Sequence, residues 1–307
     1  MQTTLKKSFS FSGVCLHSGN DTNVTVHPAP ANTGIKFKRI DLKTSSEEKI
    51  IDAVVENIIK SELCTSIQNN YGNKVGTIEH LMSALNGLGI DNALIDIDSD
   101  EVPILDGSSK VFVNLIDRAG IRSLKTSRKI VKVLRPIIVG NKDAYIKITP
   151  AESFSIDYTI SYDHILLNHQ RLTLDSFNEN VYRELISNSR TFGFKEDVDI
   201  LLEKGLIKGG SLNNAILLDE TGIVNEEDLR YPDEFVRHKI LDFIGDMFLL
   251  GKKAEGHFEI FCGGHNLTQE LLKTLISDQS NWKFIEEKIS DLDQRSIQPH
   301  KEISAVI

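Results

Sequence analysis

The chain has little of what several protein classes require. Its three cysteines, Cys15, Cys64 and Cys262, are odd in number and too far apart for a Cys-x-x-Cys zinc motif. We therefore exclude a disulfide framework and expect reduced thiols. Lys and Arg number 35 against 44 Asp and Glu, and the resulting net charge of -9 excludes a general nucleic-acid binder.

Long apolar runs are also missing. No stretch approaches the roughly 18 apolar residues that a membrane-spanning helix needs. The segment from Met1 to Gly13 lacks the continuous apolar stretch of a signal peptide. We expect a cytoplasmic protein without a transmembrane segment, and a monomer.

What is present is an ordinary globular composition. The 307 residues are 40% hydrophobic and 26% charged, which is enough chain for two domains. Between Ile121 and Arg128 the apolar signal falls and polar residues cluster, as in a short linker. The sequence therefore predicts an N-terminal domain over residues 1–124 and a C-terminal domain over residues 129–307.

Both halves show the same order of elements. Strand-like alternation comes first, followed by a helix, a strand, a turn that contains glycine and a second helix. The helices are expected near residues 78–88, 108–118, 233–250 and 266–277. This order predicts an α+β fold of two similar two-layer sandwich domains, with the helices packed between the sheets.

The strongest chemical signal lies in the helix predicted over about residues 233–250. His238, Asp242 and Asp246 recur every four residues and so line one polar stripe on an otherwise apolar helix. A His and an Asp one turn apart can point at a common centre, as two histidines do in metal sites. The alternative is a surface His–Asp pair that contributes about a few tenths of a kcal/mol.

Two further segments supply matching side chains. Glu79 and His80 open the first predicted helix, and His265 follows a strand and the pair Gly263-Gly264. Taken alone, the Glu–His pair is typical of solvent-exposed polar residues, and the segment before His265 is typical of a plain strand-to-helix turn. Together with the stripe they provide His and Asp ligands, a Glu beside one ligand, and a His with an Asp to orient it. Such a set is typical of a hydrolytic zinc site.

These segments belong to an ordered series of motifs that spans nearly the whole chain. The series resembles the UDP-3-O-acyl-N-acetylglucosamine deacetylases, which are zinc enzymes of lipid A synthesis. The matching motifs are Gly13-Val14-Cys15-Leu16-His17-Ser18-Gly19, His27-Pro28-Ala29-Pro30-Ala31-Asn32-Thr33-Gly34, Thr77-Ile78-Glu79-His80-Leu81, Gly87-Leu88-Gly89-Ile90-Asp91-Asn92, Pro103-Ile104-Leu105-Asp106-Gly107-Ser108, Ser189-Arg190-Thr191-Phe192-Gly193-Phe194, the helix from Asp233 to Asp246, and Gly263-Gly264-His265.

The resemblance implies a metal site and a base. It assigns His80, His238 and Asp242 as ligands of one Zn²⁺ and leaves the fourth position to water. It also assigns Glu79 as the general base. The fold it implies, a pair of two-layer α/β sandwiches with the site between them, agrees with the duplicated order of elements.

Further roles follow from the same resemblance. His265 is expected to be protonated and to act as electrostatic stabiliser or general acid, with Asp246 holding it in place. Thr191 and Lys239 are expected to help bind the oxyanion or the substrate. Lys239 and Arg190 are also candidates for a contact to the diphosphate.

The segment from about 192 to 218 has more apolar residues than a short surface excursion needs, and glycines divide it into strand, helix and strand. The plain interpretation is a βαβ insert that buries these residues against its own sheet. The resemblance places an acyl passage here. The expected substrate contacts are Phe192, Phe194, Val198, Ile207, Gly210, Leu212, Ala215 and Lys239.

The function that follows is hydrolysis of the N-acetyl group of UDP-3-O-(3-hydroxyacyl)-N-acetylglucosamine, which yields acetate and the free amine. A zinc amidase acting on another amide would explain the ligands but not the ordered motifs. An inactive nucleotide-sugar binding protein would be expected to have lost Glu79, a ligand or His265, and all of these are present.

Overall fold

The computed structural model describes residues 1–287, and residues 288–307 of the second predicted domain lie outside the described residues. The first half of the chain is built from short strands and two helices. The strands are β1 (Thr3–Leu5), β2 (Phe9–Val14), β3 (Asp21–Pro28), β4 (Ile35–Arg39), β5 (Ile50–Asp52), β6 (Ile58–Ile59), β7 (Ser66–Gln68), β8 (Lys74–Val75), β9 (Ala93–Ile97) and β10 (Ile121–Ser123). The helices are α1 (Glu79–Gly87) and α2 (Lys110–Ala119).

A sheet in the order β2-β3-β9-β4-β5 dominates this half. Its neighbours are antiparallel except for β4 and β9, which run parallel. Buried side chains alternate with more exposed ones along β3 and β9. The sheet therefore has one face toward the core and one toward solvent, as the period-two pattern predicts.

The second half holds the larger sheet and the longer helices. Its strands are β11 (Lys129–Val133), β12 (Ile137–Gly140), β13 (Tyr145–Thr149), β14 (Phe154–Ile160), β15 (Gln170–Leu174), β16 (Phe192–Phe194), β17 (Ile216–Asp219), β18 (Gly222–Ile223), β19 (Lys253–Phe261) and β20 (Trp282–Glu286). The helices are α3 (Glu179–Val181), α4 (Val198–Glu203), α5 (Glu234–Met247) and α6 (His265–Ser277).

Strand β19 organises the sheet of this half. It pairs antiparallel with β13 and parallel with both β14 and β11. β12 and β15 extend the sheet beyond β13 and β14, and β20 pairs with β11. Because β19 ends at Phe261, the turn with Gly263 and Gly264 and then His265 lie at one end of the sheet.

Helices fill the space between the two sheets. α1 packs on α5 and α2, while α5 also contacts β14, β15 and α6. A Cβ on Gly245 would lie 2.1 Å from the Glu79 carbonyl oxygen, so glycine is required where the two helices meet. The expected α+β fold with helices between the sheets is confirmed.

The βαβ insert is also confirmed. β16 and β17 run parallel, with α4 between them in the chain, and β18 adds an antiparallel strand. The insert is thus a small sheet of its own, separate from the large sheet of the second half.

The predicted linker needs correction at both of its ends. Residues 121–123 form β10, which pairs with β1. Arg128 is 1% exposed, and its guanidinium lies 2.7 Å from Asp91 Oδ1 and 2.8 Å from Glu287 Oε1. The polar cluster suggested a short linker, but Arg128 is a buried charge because carboxylates from both halves surround it.

The domain bounds 1–124 and 129–307 stay a prediction. In favour of them, the five-stranded sheet is built from residues 9–97 and the β19 sheet from residues 129–286. Within residues 1–287, none of the helices combines the length and the apolar character that crossing a bilayer takes.

Candidate metal centre

Three side chains from α1 and α5 converge between the sheets. His80 Nε2 lies 3.4 Å and His238 Nε2 lies 3.3 Å from Asp242 Oδ1. One nitrogen or oxygen from each residue lies within 4.8 Å of the other two, and all three residues are buried. The α5 stripe supplies two of them because His238 and Asp242 are one helical turn apart.

The donor set fits a metal ion. Asp242 Oδ1 and His80 Nδ1 are buried yet make no hydrogen bond to any residue within 1–287. Asp242 Oδ1 faces the Nε2 atoms of both imidazoles. A buried carboxylate oxygen without a hydrogen bond is costly, so its position beside the two rings favours a bound cation. Burial lowers the pKa of His238 to about 3, which keeps the ring neutral and able to bind a cation.

The orientation of His238 is fixed from outside the cluster. Its Nδ1 lies 3.1 Å from the Ser189 carbonyl oxygen and donates to it, which leaves Nε2 free as a ligand. This contact of Ser189 could not be predicted from the sequence, because a backbone carbonyl acceptor has no residue signature.

Glu79 lies beside the cluster at the first turn of α1. Its Oε2 accepts a hydrogen bond of 3.0 Å from the Thr65 backbone N–H. Burial raises the pKa of Glu79 to about 7, although the charges of His265 and His80 work in the opposite direction. A carboxyl with a pKa near neutrality can both take up and release a proton at physiological pH.

His265 at the start of α6 faces Glu79 from the opposite side. Its Nδ1 donates to Asp246 Oδ2 over 2.7 Å, and its Nε2 lies 3.9 Å from Glu79 Oε1. Burial alone would lower the pKa of His265, but the Asp246 carboxylate outweighs it and raises the pKa to about 10. The imidazole is therefore charged near neutral pH.

Lys239 and Thr191 both border the same space. Lys239 Nζ lies 3.2 Å from Asp242 Oδ2 and 5.4 Å from the centre of the Phe192 ring. Thr191 is anchored through its backbone N–H, which donates to the Gly107 carbonyl. Arg190 differs, because its Nε donates to the buried Glu234 carboxylate at 2.9 Å and Arg190 does not line the cavity.

A single cavity of about 920 Å³ joins the cluster to the insert. Its walls include all eight residues expected to bind the substrate in and around the insert: Phe192, Phe194, Val198, Ile207, Gly210, Leu212, Ala215 and Lys239. Glu79, Thr191, His265 and the three candidate ligands line the same space. The structure therefore brings the polar cluster and the insert together in one cavity.

The insert divides its apolar residues between core and cavity. Ile216 and Leu218 on β17 are fully buried, which agrees with the plain interpretation of the segment. Helix α4 buries none of its residues, and its Val198, Leu201 and Leu202 line the cavity. An apolar helix without a buried face leaves apolar surface available to a ligand.

Thr65 is the residue of this region that sequence reasoning missed. It is fully buried, and its hydroxyl contacts both Asp246 and His265. A lone Thr before a short strand carries no spacing signal, and its partner Asp246 lies far away in the sequence.

Comparisons with known proteins identify relatives over nearly the whole chain. A protein-family model described as UDP-3-O-acyl N-acetylglycosamine deacetylase matches residues 2–277. A protein of Idiomarina loihiensis is 42% identical over 286 residues, which is 92% of each chain. One of Neisseria meningitidis serogroup C is 41% identical over 95% of each chain. One of Lawsonia intracellularis is 44% identical over 89% of this chain and 88% of its own. All three are named UDP-3-O-acyl-N-acetylglucosamine deacetylase.

Proposed function

The chain belongs to the UDP-3-O-acyl N-acetylglycosamine deacetylase family, and we propose that it hydrolyses the N-acetyl group of UDP-3-O-(3-hydroxyacyl)-N-acetylglucosamine. The products are acetate and a free sugar amine, and the reaction is a step of lipid A biosynthesis. The observation that carries the proposal is one cavity that joins a His–His–Asp cluster and two proton carriers to an apolar insert.

We propose Zn²⁺ as the metal, with His80, His238 and Asp242 as its ligands. Two imidazoles and one carboxylate are typical of catalytic zinc, which keeps a position open for water or substrate. When bound, the ion supplies a Lewis acid for the amide carbonyl and lowers the pKa of water in the site. All ligands come from one chain, which supports a monomer as the working unit.

Glu79 is the proposed general base. Its Oε2 is occupied by the Thr65 N–H, so Oε1 is the oxygen left to take a proton from the attacking water. The raised pKa matches the carboxylate to this task near neutral pH.

His265 is the proposed cation of the site. Asp246 fixes its Nδ1, so Nε2–H points toward Glu79 and the metal ligands. There the charged ring stabilises negative charge that develops on the carbonyl oxygen, or donates a proton to the departing amine. Lys239 and Thr191, on the same cavity wall, are proposed to assist in binding the oxyanion or the substrate.

The insert is the proposed binding site of the 3-O-acyl chain. Shortening that chain is expected to lower kcat/KM stepwise, by at most about 0.8 kcal/mol or fourfold for each methylene that is buried. Ala215→Trp would narrow the passage, so it is expected to depress activity on the long-chain substrate far more than on a truncated one. Kinetics of both substrates with both proteins measure this, and equal losses would assign Ala215 to the protein core instead.

Acetate release from purified protein tests the function itself. The UDP-linked acylated sugar is expected to be deacetylated rapidly, the unacylated UDP-N-acetylglucosamine poorly, and a simple N-acetylated peptide not at all. Comparable rates on the peptide would favour an amidase of another substrate class. Tight binding of the UDP-sugar without acetate release would favour an inactive binding protein.

A further inference from the structure

We propose that Thr65 is a positioning residue that holds both proton carriers of the site in their working orientation. It lies just before β7, in the half of the chain opposite to Asp246 and His265. The inference rests on the proposed roles of Glu79 and His265, and it adds a residue to which the sequence analysis assigned no role.

The Thr65 hydroxyl lies between the two members of the His–Asp pair. Its Oγ1 is 2.7 Å from Asp246 Oδ1 and 3.1 Å from His265 Nδ1. A hydroxyl has one proton to donate and two lone pairs to accept with. Thr65 therefore donates to the carboxylate and accepts from the imidazole N–H, which also donates to Asp246 Oδ2.

The Thr65 hydroxyl provides a hydrogen bond to the second oxygen of the Asp246 carboxylate. Asp246 is 1% exposed, so bulk water does not replace a missing donor. With Thr65 on Oδ1 and His265 on Oδ2, the plane of the carboxylate is fixed at both ends, and with it the ring of His265. Removing one donor would leave a buried charged oxygen without its partner.

The backbone of Thr65 acts on the other proton carrier. Its N–H donates to Glu79 Oε2 at 3.0 Å, and its carbonyl accepts from Ile78 N at 3.3 Å, directly before α1. One buried residue therefore touches the carboxylate of the base and both members of the His–Asp pair. Side chains held by such outer contacts keep their reactive atoms in place without reorganisation.

Thr65→Val tests the hydroxyl alone, because valine keeps the branched shape and the backbone N–H to Glu79. We expect kcat to fall about 10- to 100-fold, the usual effect of losing an outer partner of a catalytic site. KM is expected to stay within about threefold and metal content to equal that of the wild type, since no ligand is touched. Thr65→Ser restores the hydroxyl and is expected to recover most of the lost kcat.

Thr4→Val is the matched control. Thr4 is also fully buried, and its hydroxyl also makes two hydrogen bonds, but these go to the backbone of Asn92 and Ala29. The thermal unfolding midpoint of this variant is expected to fall as for Thr65→Val, while its kcat stays at the wild-type value. The comparison separates a loss of stability from a loss of positioning.

A double-mutant cycle with Asp246→Asn identifies the route of the effect. If Thr65 acts through the His–Asp pair, Thr65→Val in the Asp246→Asn background lowers kcat much less than it does in the wild type. Effects that multiply fully in the double variant would overturn the proposal. So would an unchanged kcat in Thr65→Val, or a Thr65→Ser variant as slow as Thr65→Val.

A second variant and the activity of the wild type separate the possible causes of a negative result. If Thr65→Val is not recovered folded, Thr65→Ala removes the same hydroxyl without adding a new contact and is judged by the same cycle. Failure of the proposed function has a different signature, because the wild-type protein itself would then release no acetate. An active wild type with an equally active Thr65→Val contradicts only the role of Thr65.

Discussion

Replacing Glu79 with alanine is expected to lower kcat at least ~10²-fold, the contribution typical of a positioned proton carrier. The variant should keep its metal content, because His80, His238 and Asp242 are untouched. Steady-state kinetics on the UDP-linked acylated sugar, with metal analysis of the same preparation, measure both quantities. Glu79→Gln, which keeps the side-chain length, is expected to be impaired to a similar degree.

The pH dependence of the rate is a second test of the role of Glu79. Only the carboxylate form of Glu79 accepts a proton, so the rate should rise as pH increases through the pKa of Glu79. Burial raises the pKa of Glu79 to about 7, and the positive charge of a bound dication would lower this pKa. The alanine variant should lose this acidic limb. A profile with its acidic limb unchanged would remove Glu79 from the proton transfer.

Replacing His265 with alanine is expected to lower kcat by a similar factor of at least ~10². The active form of His265 is the charged one, so wild-type activity should fall as pH rises through the pKa of His265. Burial lowers this pKa, but the Asp246 carboxylate outweighs burial and raises it to about 10. Asp246→Asn removes the anion and lowers the pKa of the imidazole. The basic limb of that variant should therefore move to lower pH, with a smaller loss of kcat than in His265→Ala.

Asp96→Asn is a suitable control for the Asp246 variant. It also removes a carboxylate next to a histidine, since His27 Nε2 lies 3.4 Å from Asp96 Oδ2. His27, unlike His265, does not line the cavity. Its pH profile is expected to match that of the wild type. A basic limb that stays in place in Asp246→Asn would argue that another group controls it.

The sequence predicted which residues form the site better than it predicted the contacts that bring them together. The stripe of His238, Asp242 and Asp246 was visible because all three lie on one helix with a period of four residues. That Glu79 and His80 lie against this stripe depends on the contact of α1 with α5, which local patterns do not encode. Periodicity did not connect these segments. Their combined donor chemistry suggested a shared site, and the ordered motifs then supported it.

Two features show where sequence reasoning ends. The fall in apolar residues and the cluster of polar residues that ends at Arg128 suggested a linker. The Arg128 partners Asp91 and Glu287 are distant in sequence, so burial of the guanidinium could not be inferred from the cluster itself. Thr65 was missed for the same reason, since its role arises entirely from contacts made across the fold.

Titration of metal-free protein with Zn²⁺ tests whether His80, His238 and Asp242 form a catalytic zinc site. The measured quantity is acetate release from the UDP-linked acylated sugar at each ratio of metal to protein. Activity is expected to be absent without metal, to rise with added Zn²⁺ and to level off at about one equivalent. His238→Ala, which removes one ligand, should stay folded but bind metal poorly and remain inactive throughout. Full activity of the metal-free wild-type protein would contradict the account.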